Sequence, residues 1–529
     1  MSNELEYLSK RVAQRKMSRR DFMGRASALG VSAAAAGSML STAALAEGPK
    51  KGGTMKVGSL GGESTNTLDP AVAATQVPGM NLRLYGDQIV DVSATGEIEL
   101  RLAESIESST DAREWRFTAR EGVEFHNGKT MTAEDLKRTV ERHANEESKS
   151  GALGVLQGIE SLSVDGNDFV VKMENPTADL PYLMADWHLV VQPDGGFDNP
   201  TAGVGTGPYM VEVDEPGVRH AFKKNPNYWD DTRGHVDEVE VLVVNDNTAR
   251  MSALQSGQVH MVNGVDPKVA SLLNRAPNLE VRNVAGRAHY VFIMHSNTAP
   301  FDNKDLRMAL KYAINREEMV EKILRGFGSV GNDMPINASY PLFDDTIEQR
   351  KYDPEMAAEL YKKSGHDGSP IILRVSDAAF AGAVDAAQLF QQSAAAAGIP
   401  LEIKREPSDG YWSEVWNNKP FCASYWSGRP VQDQMYTTAY HSQADWNDTR
   451  FNNAEFDDLL IKARGELDPV KRKAMYSRMG QLVRDESGLI APMFNDFVDG
   501  VSKQVMGYED DPNNFLMNMY APVKCWLDA

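Results

Sequence analysis

Cysteine is nearly missing from this chain. Cys422 and Cys525 are the only two in 529 residues, about a hundred positions apart. That excludes a disulfide scaffold and a cysteine-rich zinc site, and leaves room for one long-range bridge. Basic charge is short as well: 55 Lys and Arg face 75 Asp and Glu, a formal charge of -20. A nucleic-acid binder needs a basic footprint, so that class is excluded. An acidic chain also gains no attraction to anionic lipid. The Ala/Gly-rich stretch from Ala26 to Leu45 lacks the density of large apolar residues that a spanning helix requires.

Catalytic signatures are absent too. There is no His-Glu-x-x-His, no Cys-x-x-Cys and no Gly-x-Ser-x-Gly elbow. Gly128-Lys129-Thr130 looks like the end of a phosphate loop, but Val123 stands where the first glycine is required. Asp230/Asp231 and Asp344/Asp345 are sequence neighbours that point apart, and read as solvated turn positions. His289 and His295 lie six apart on one expected strand and so share a face. Two satisfied, partly buried histidines account for them better than a metal pair. No metal, no cofactor and no enzymatic activity are expected.

What remains is a soluble globular composition, 42% hydrophobic and 25% charged, long enough for two or three domains. Lys10, Arg11, Arg15 and Lys16 lead into Ser18-Arg19-Arg20-Asp21-Phe22-Met23, a twin-arginine pattern, and Ala44-Leu45-Ala46 is a small-x-small cleavage signal. Segment 1–46 is therefore read as a twin-arginine signal peptide cleaved after Ala46, which places the folded product in the periplasm. It carries seven Lys/Arg against three Asp/Glu, so its removal leaves the chain more negative.

Along the mature chain, Thr54–Gly58 reads as a strand. Between 97 and 200, short extended runs alternate with turns, including a hairpin of Ser161–Val164 and Asp168–Met173 about Asp165-Gly166. The pattern Thr132-Ala133-Glu134-Asp135 starts a helix there. Val239–Val244 and Tyr290–Met294 read as buried strands, and Asp246 caps a helix that stops at Gly257. Helical spacing of Leu306, Leu310, Ala313, Ile314, Val320, Ile323 and Leu324 predicts one helix over 304–324. Ile371–Val375, a helix over 383–397 and Leu401–Lys404 predict a strand–helix–strand unit, hence a parallel α/β sheet. Phe456–Arg464 and Val470–Arg484 read as two helices broken at Asp468-Pro469.

Ser424-Tyr425-Trp426-Ser427-Gly428-Arg429-Pro430-Val431-Gln432-Asp433 departs from this background. It sets two large aromatics, a cation and an anion around a Gly and a Pro, which is how small-molecule pockets are lined. The same residues also suit an aromatic loop packed between elements, with Arg429 and Asp433 paired at the surface. Trp412, Tyr411, Tyr440 and Trp446 are further aromatics that serve as core or as pocket wall.

Seven blocks, in order, resemble the bacterial extracellular solute-binding proteins of family 5. They are Thr67-Leu68-Asp69-Pro70; Phe125-His126-Asn127-Gly128-Lys129-Thr130-Met131-Thr132-Ala133-Glu134-Asp135; Gly205-Thr206-Gly207-Pro208-Tyr209; Asn225-Pro226-Asn227-Tyr228-Trp229; Ala249-Arg250-Met251-Ser252-Ala253-Leu254-Gln255-Ser256-Gly257; Pro300-Phe301-Asp302-Asn303; and Arg307-Met308-Ala309-Leu310-Lys311-Tyr312-Ala313-Ile314-Asn315-Arg316. The resemblance implies an α/β, two-lobed periplasmic-binding-protein fold with an extra β-rich subdomain, about 97–200, in lobe one. Lobe one is expected over 47–287 plus 495–529 and lobe two over 288–494. Ala285-Gly286-Arg287 and Pro492-Met493-Phe494-Asn495 are the hinge candidates. It implies a monomer that traps a small-molecule or peptide ligand by lobe closure and presents it to an ABC transporter permease.

In peptide receptors of that family a Trp is followed three residues later by an Asp that pairs with the ligand's α-amine. Trp426 matches the Trp, but the third residue on is Arg429, which favours a carboxylate or other anion instead. Asp433 then either supplies an amine partner or neutralises Arg429. His295 stands where many relatives have Asn. The resemblance thus implies a ligand site drawn from Tyr425, Trp426, Arg429, Asp433, Trp412, Trp446 and His295. Two other readings stay open at this point: an exported enzyme using the twin-arginine route, and a periplasmic sensor or chaperone adaptor on the same fold.

Overall fold

The computed structural model describes residues 48–528 apart from 74, 146, 148, 157, 408–410 and 445. The signal-peptide reading of 1–46 therefore lies outside the described residues. Two sheets organise the rest. The first has seven strands in the order Leu279–Val284, Phe497–Ser502, Met261–Val262, Thr54–Ser59, Glu238–Val243, Arg219–Lys224, Tyr209–Glu215. The second has six, in the order Gly328–Val330, Leu489–Asn495, His289–Met294, Phe421–Trp426, Ile371–Val375, Leu401–Arg405.

The chain passes between the sheets twice. Leu279–Val284 belongs to the first and His289–Met294 to the second; Leu489–Asn495 belongs to the second and Phe497–Ser502 to the first. Residues 285–288 and Asp496 are thus the crossover points of two lobes. They are braced from the second lobe, where Asn337 Nδ2 donates to Gly286 O at 2.8 Å and Ser339 Oγ to Ala285 O at 3.1 Å. Gly286 is required by close approach, since a Cβ there would stand 2.6 Å from the Phe497 ring. A third unit, the four-stranded sheet of Ala103–Ser108, Glu114–Ala119, Asp168–Met173 and Ile159–Asp165, packs on the helix Ala133–Ala144. That helix starts with the Thr132/Asp135 capping box.

Alternation along each central strand explains its burial on both sides. In the second lobe, Phe292, Met294, Leu373 and Ala423 join one core with the helix Ala383–Ala395. Val291, Ile293 and Trp426 join another, with the helices Gln432–Ala439, Ala454–Gly465 and Pro469–Glu486. The sheet is mixed rather than parallel: His289–Met294 runs antiparallel to both neighbours.

One expectation is corrected and one open alternative is closed. The single helix over 304–324 is two helices, Lys304–Tyr312 and Arg316–Lys322. Asn315 causes the break, because its side chain accepts from Glu318 N–H and caps a new helix rather than continuing the old one. Cys422 and Cys525 are free and buried in the cores of different lobes, so no bridge joins them. Among the described residues no helix is long and apolar enough to cross a membrane.

Candidate functional site

Ile371–Val375 runs parallel to both Leu401–Arg405 and Phe421–Trp426, so these three strands end on one edge of the sheet. His289 pairs with Trp426, which puts the first crossover on that same edge. A crevice outside the carboxyl ends of parallel strands is where open α/β sheets take ligands. Here that crevice faces the first lobe.

Tyr425 and Trp426 leave the strand on opposite faces, as adjacent strand residues must. Tyr425 is 45% exposed and pairs with Tyr290, whose ring lies flat on Phe380 at 4.2 Å. Phe380, Tyr290 and Tyr425 thus form an aromatic patch at the crevice edge. Trp426 instead enters the core at 4% exposure. Its indole N–H donates to Asp448 Oδ2 at 3.2 Å, and Trp416 donates to the same oxygen at 3.0 Å. Burial pushes the Asp448 carboxyl up to about 7, against the two indole donors that lower it. Trp446, 52% exposed, lies over both Trp416 and Trp426 at centroid distances of 6.0 and 6.1 Å.

Arg429 follows on a turn pressed against the hinge. A Cβ on Gly428 would fall 2.2 Å from Arg287 Cβ, so only glycine allows this approach. Arg429 is half-buried; its backbone N–H donates to the Tyr340 hydroxyl at 3.0 Å. Its Nη1 donates to Ser427 O at 3.0 Å and Gly428 O at 3.2 Å. Burial weakens its hold on its proton, while Tyr340, Asp186 and Tyr425 strengthen it.

The structure does not gather all the expected residues at one place. Asp433 is neither an amine partner in waiting nor the partner of Arg429: Arg464 Nε reaches its Oδ2 at 3.2 Å and Arg464 Nη2 its Oδ1 at 3.3 Å. His295 follows the far end of His289–Met294, about 20 Å along the strand from His289 at roughly 3.3 Å per residue. It is buried there with Nε2 unpartnered, and burial, then Arg450, lowers its pKa to about 4. Trp426 is core rather than wall. The Trp412 side chain lies outside the described residues. Tyr425 and Arg429 are the two that stand at the crevice edge. Asp230, read from sequence as a solvated turn, instead accepts from buried Arg101 at 2.7 Å.

The lobes also touch directly through residues 178–179 of the first lobe. Ala178 N–H donates to Arg464 O at 2.7 Å, and Asp179 pairs with Arg472, whose side chains are only 5% and 12% exposed. Near the hinge, Arg287 donates to Ser339 O at 2.9 Å in the second lobe and to Asn513 Oδ1 at 2.5 Å in the first. Sequence reasoning missed Asp179 and Asp186, and named Arg287 only as a hinge position. Asp186-Trp187-His188 carried the same mixture of aromatic and charge as 424–433 and was the available signal.

Comparison with known proteins gives a consistent picture. The family model described as bacterial extracellular solute-binding proteins, family 5 Middle, matches residues 97–448. A glutathione-binding protein GsiB of Salmonella typhi is 25% identical over 466 residues, covering 84% of this chain and 90% of the relative. A GsiB of Escherichia coli O6:K15:H31 is 23% identical over 472 residues, with the same coverage. Among solved structures, the binding protein AgaA from A. tumefaciens R10, in complex with agropinic acid, superposes with a TM-score of 0.76 at 23% identity, covering 90% of this chain and 99% of that one. DppA from Helicobacter pylori, in complex with the peptide STSA, gives 0.77 at 22%, covering 92% and 100%. These structures show the two-lobed fold.

Proposed function

This chain belongs to the bacterial extracellular solute-binding proteins of family 5, and from that premise we propose that it captures a small solute bearing a carboxylate and delivers it to an ABC importer. Peptides and opine-like amino-acid conjugates are the classes in view, because glutathione, agropinic acid and a tetrapeptide are what the relatives' names and structures carry. The observation that carries the reading is Arg429, a cation at the interlobe crevice with no carboxylate within ion-pair distance among the described residues. A bidentate carboxylate would satisfy its remaining donors. Capture rests on a population shift: ligand that touches both lobes favours the form in which they meet.

Members of this family are binding proteins, and this chain is read as one rather than as an enzyme. It is further read as a monomer, exported by the twin-arginine route, cleaved after Ala46 and released to the periplasm to meet its permease. Replacing Arg19 and Arg20 together by Lys should retain the precursor in the cytoplasm, as followed by cell fractionation. The main test is native mass spectrometry of the protein purified from its own periplasm. A co-purified solute carrying a carboxylate is expected, and Arg429→Ala should weaken its binding by about 2–5 kcal/mol, the usual cost of truncating a buried charge pair. An unchanged dissociation constant refutes the assignment of Arg429.

A further inference from the structure

The first lobe holds a cavity of about 450 Å³, a volume within the range of small-molecule sites. It lies where the two crossover strands have their outer ends. Leu279–Val284 begins after Asn278, and Phe497–Ser502 runs on into Lys503 and Gln504. The two strands are antiparallel, with Leu279 opposite Ser502 and Val284 opposite Phe497. Cavity and crossovers are therefore at opposite ends of one strand pair, roughly 16 Å apart at about 3.3 Å per residue. Backbone bonds tie its rim together: Ser502 N–H donates to His260 O at 2.7 Å, and Lys503 N–H to Asn278 O at 2.9 Å.

Its polar lining is made of donors. His260 Nδ1 accepts from the Lys56 N–H at 2.9 Å, so the neutral ring carries its proton on Nε2. That Nε2–H has no hydrogen bond among the described residues and is open to solvent. Burial, then Lys56, lowers the imidazole pKa and keeps the ring neutral. Lys503 Nζ donates to Pro277 O at 2.9 Å, which leaves two of its three donors unused. Ser502 Oγ accepts from the Gln504 N–H at 3.3 Å, which leaves its own O–H to donate. The exposed amides of Asn278 and Gln504 add a donor and an acceptor each at the mouth, and buried Leu254 and Val259 close the floor. Among the described residues that line the cavity there is no carboxylate, a local exception on a chain of formal charge -20.

We propose that this cavity is a second binding site of the protein, for a small hydroxylated monocarboxylate. The carboxylate takes the Lys503 ammonium, the Ser502 O–H and the His260 Nε2–H. One cation beside two neutral donors balances a single negative charge, whereas a dianion would keep one charge uncompensated. The volume is many times that of a bare ion, so the charge is borne on an organic body. Hydroxyls suit that body, because the Asn278 and Gln504 amides can each give and take a hydrogen bond. The site is separate from the crevice, and its assignment does not rest on the reading of Arg429.

The test uses the full mature chain with carbon-13 at the histidine Cε1 positions and follows the His260 signal by NMR, assigned with His260→Gln. The probes are gluconate, its neutral amide gluconamide, and hexanoate, all at matched ionic strength. Gluconate is expected to shift the signal saturably and to raise the midpoint of its pH titration, because an anion beside the ring favours the protonated form. Gluconamide lacks the charge and should bind about tenfold more weakly or worse, the scale of a hydrogen bond to a charged group. Hexanoate lacks the hydroxyls and should also bind more weakly than gluconate. Lys503→Gln should weaken gluconate about three- to tenfold with an unchanged circular dichroism spectrum. Arg429→Ala should leave the His260 response intact. A shift that does not saturate, an equal response to gluconamide or hexanoate, or loss of the response in Arg429→Ala overturns the proposal. The comparison of probes on the wild-type chain needs no variant.

Discussion

Replacing Arg472 by glutamine should open the molecule. Arg472, on the helix Pro469–Glu486, meets Asp179 of the first lobe, and Arg472 also donates to Ala463 O at 3.0 Å and Tyr476 OH at 3.0 Å. These local bonds hold the guanidinium on its own lobe, so the contact with Asp179 is made at little further cost in ordering. In an opened form Asp179 regains water. In the form described here it is buried, and burial already raises its carboxyl against the pull of Arg472. Truncating one member of a buried, hydrogen-bonded charge pair across an interface costs about 2–5 kcal/mol. Protonation of the orphaned Asp179 sets a ceiling. Neutralising a carboxyl of ordinary pKa near 3.9 at pH 7 costs about 1.4 kcal/mol per unit, or roughly 4 kcal/mol. The lobe-contacting form should therefore lose about 2–4 kcal/mol, which is roughly 30- to 1000-fold in the open–closed constant.

The assay is single-molecule energy transfer between dyes on cysteines introduced at Asp165 in the β subdomain and Lys462 in the second lobe. Both native cysteines are buried and should stay unlabelled. Arg472→Gln should populate longer distances without loss of secondary structure. Adding Asp179→Asn should recover part of the short-distance population, because the unpaired carboxylate is gone. An interlobe distance distribution and a solute affinity both unchanged by Arg472→Gln would refute the reasoning.

Three other outcomes are expected. Asp448 has a folded pKa raised to about 7 by burial, above its unfolded value near 3.9. The folded state thus holds a proton that the unfolded state loses, and stability should fall as pH rises from about 4 to about 7 by an amount on the order of 4 kcal/mol. Asp448→Asn, which still accepts from both indoles, should flatten that slope in urea titrations at successive pH values. Gly428→Ala drives a Cβ into Arg287 and should cost about 1–3 kcal/mol of stability or displace the turn that carries Arg429, weakening solute binding without touching a charge. Finally, a reductant should leave Tm unchanged, since Cys422 and Cys525 lie in separate cores.

Much of the fold was legible in order along the chain. Asp246 and the Thr132–Asp135 pattern announced helix starts because a short polar side chain ahead of an apolar period satisfies the first free N–H groups locally. Asn315 caps a helix in the same way, but the apolar spacing around it runs on through the break and reads as one helix. The hinge candidates came from the family resemblance, and the structure puts the crossovers at 285–288 and Asp496. Local chemistry is enough for such features, since the partners lie within a few residues.

The site was different in kind. By itself the sequence determined a two-lobed solute-binding chain and singled out Arg429 as the residue that departs from the peptide-binding pattern. Only the tertiary structure separated Tyr425 from Trp426 to opposite faces, gave Asp433 to Arg464 and sent His295 to the far end of its strand. The reason is range. Which side of a strand reaches the crevice depends on register, and which charge faces which depends on how two lobes, built from distant segments, come to rest against each other.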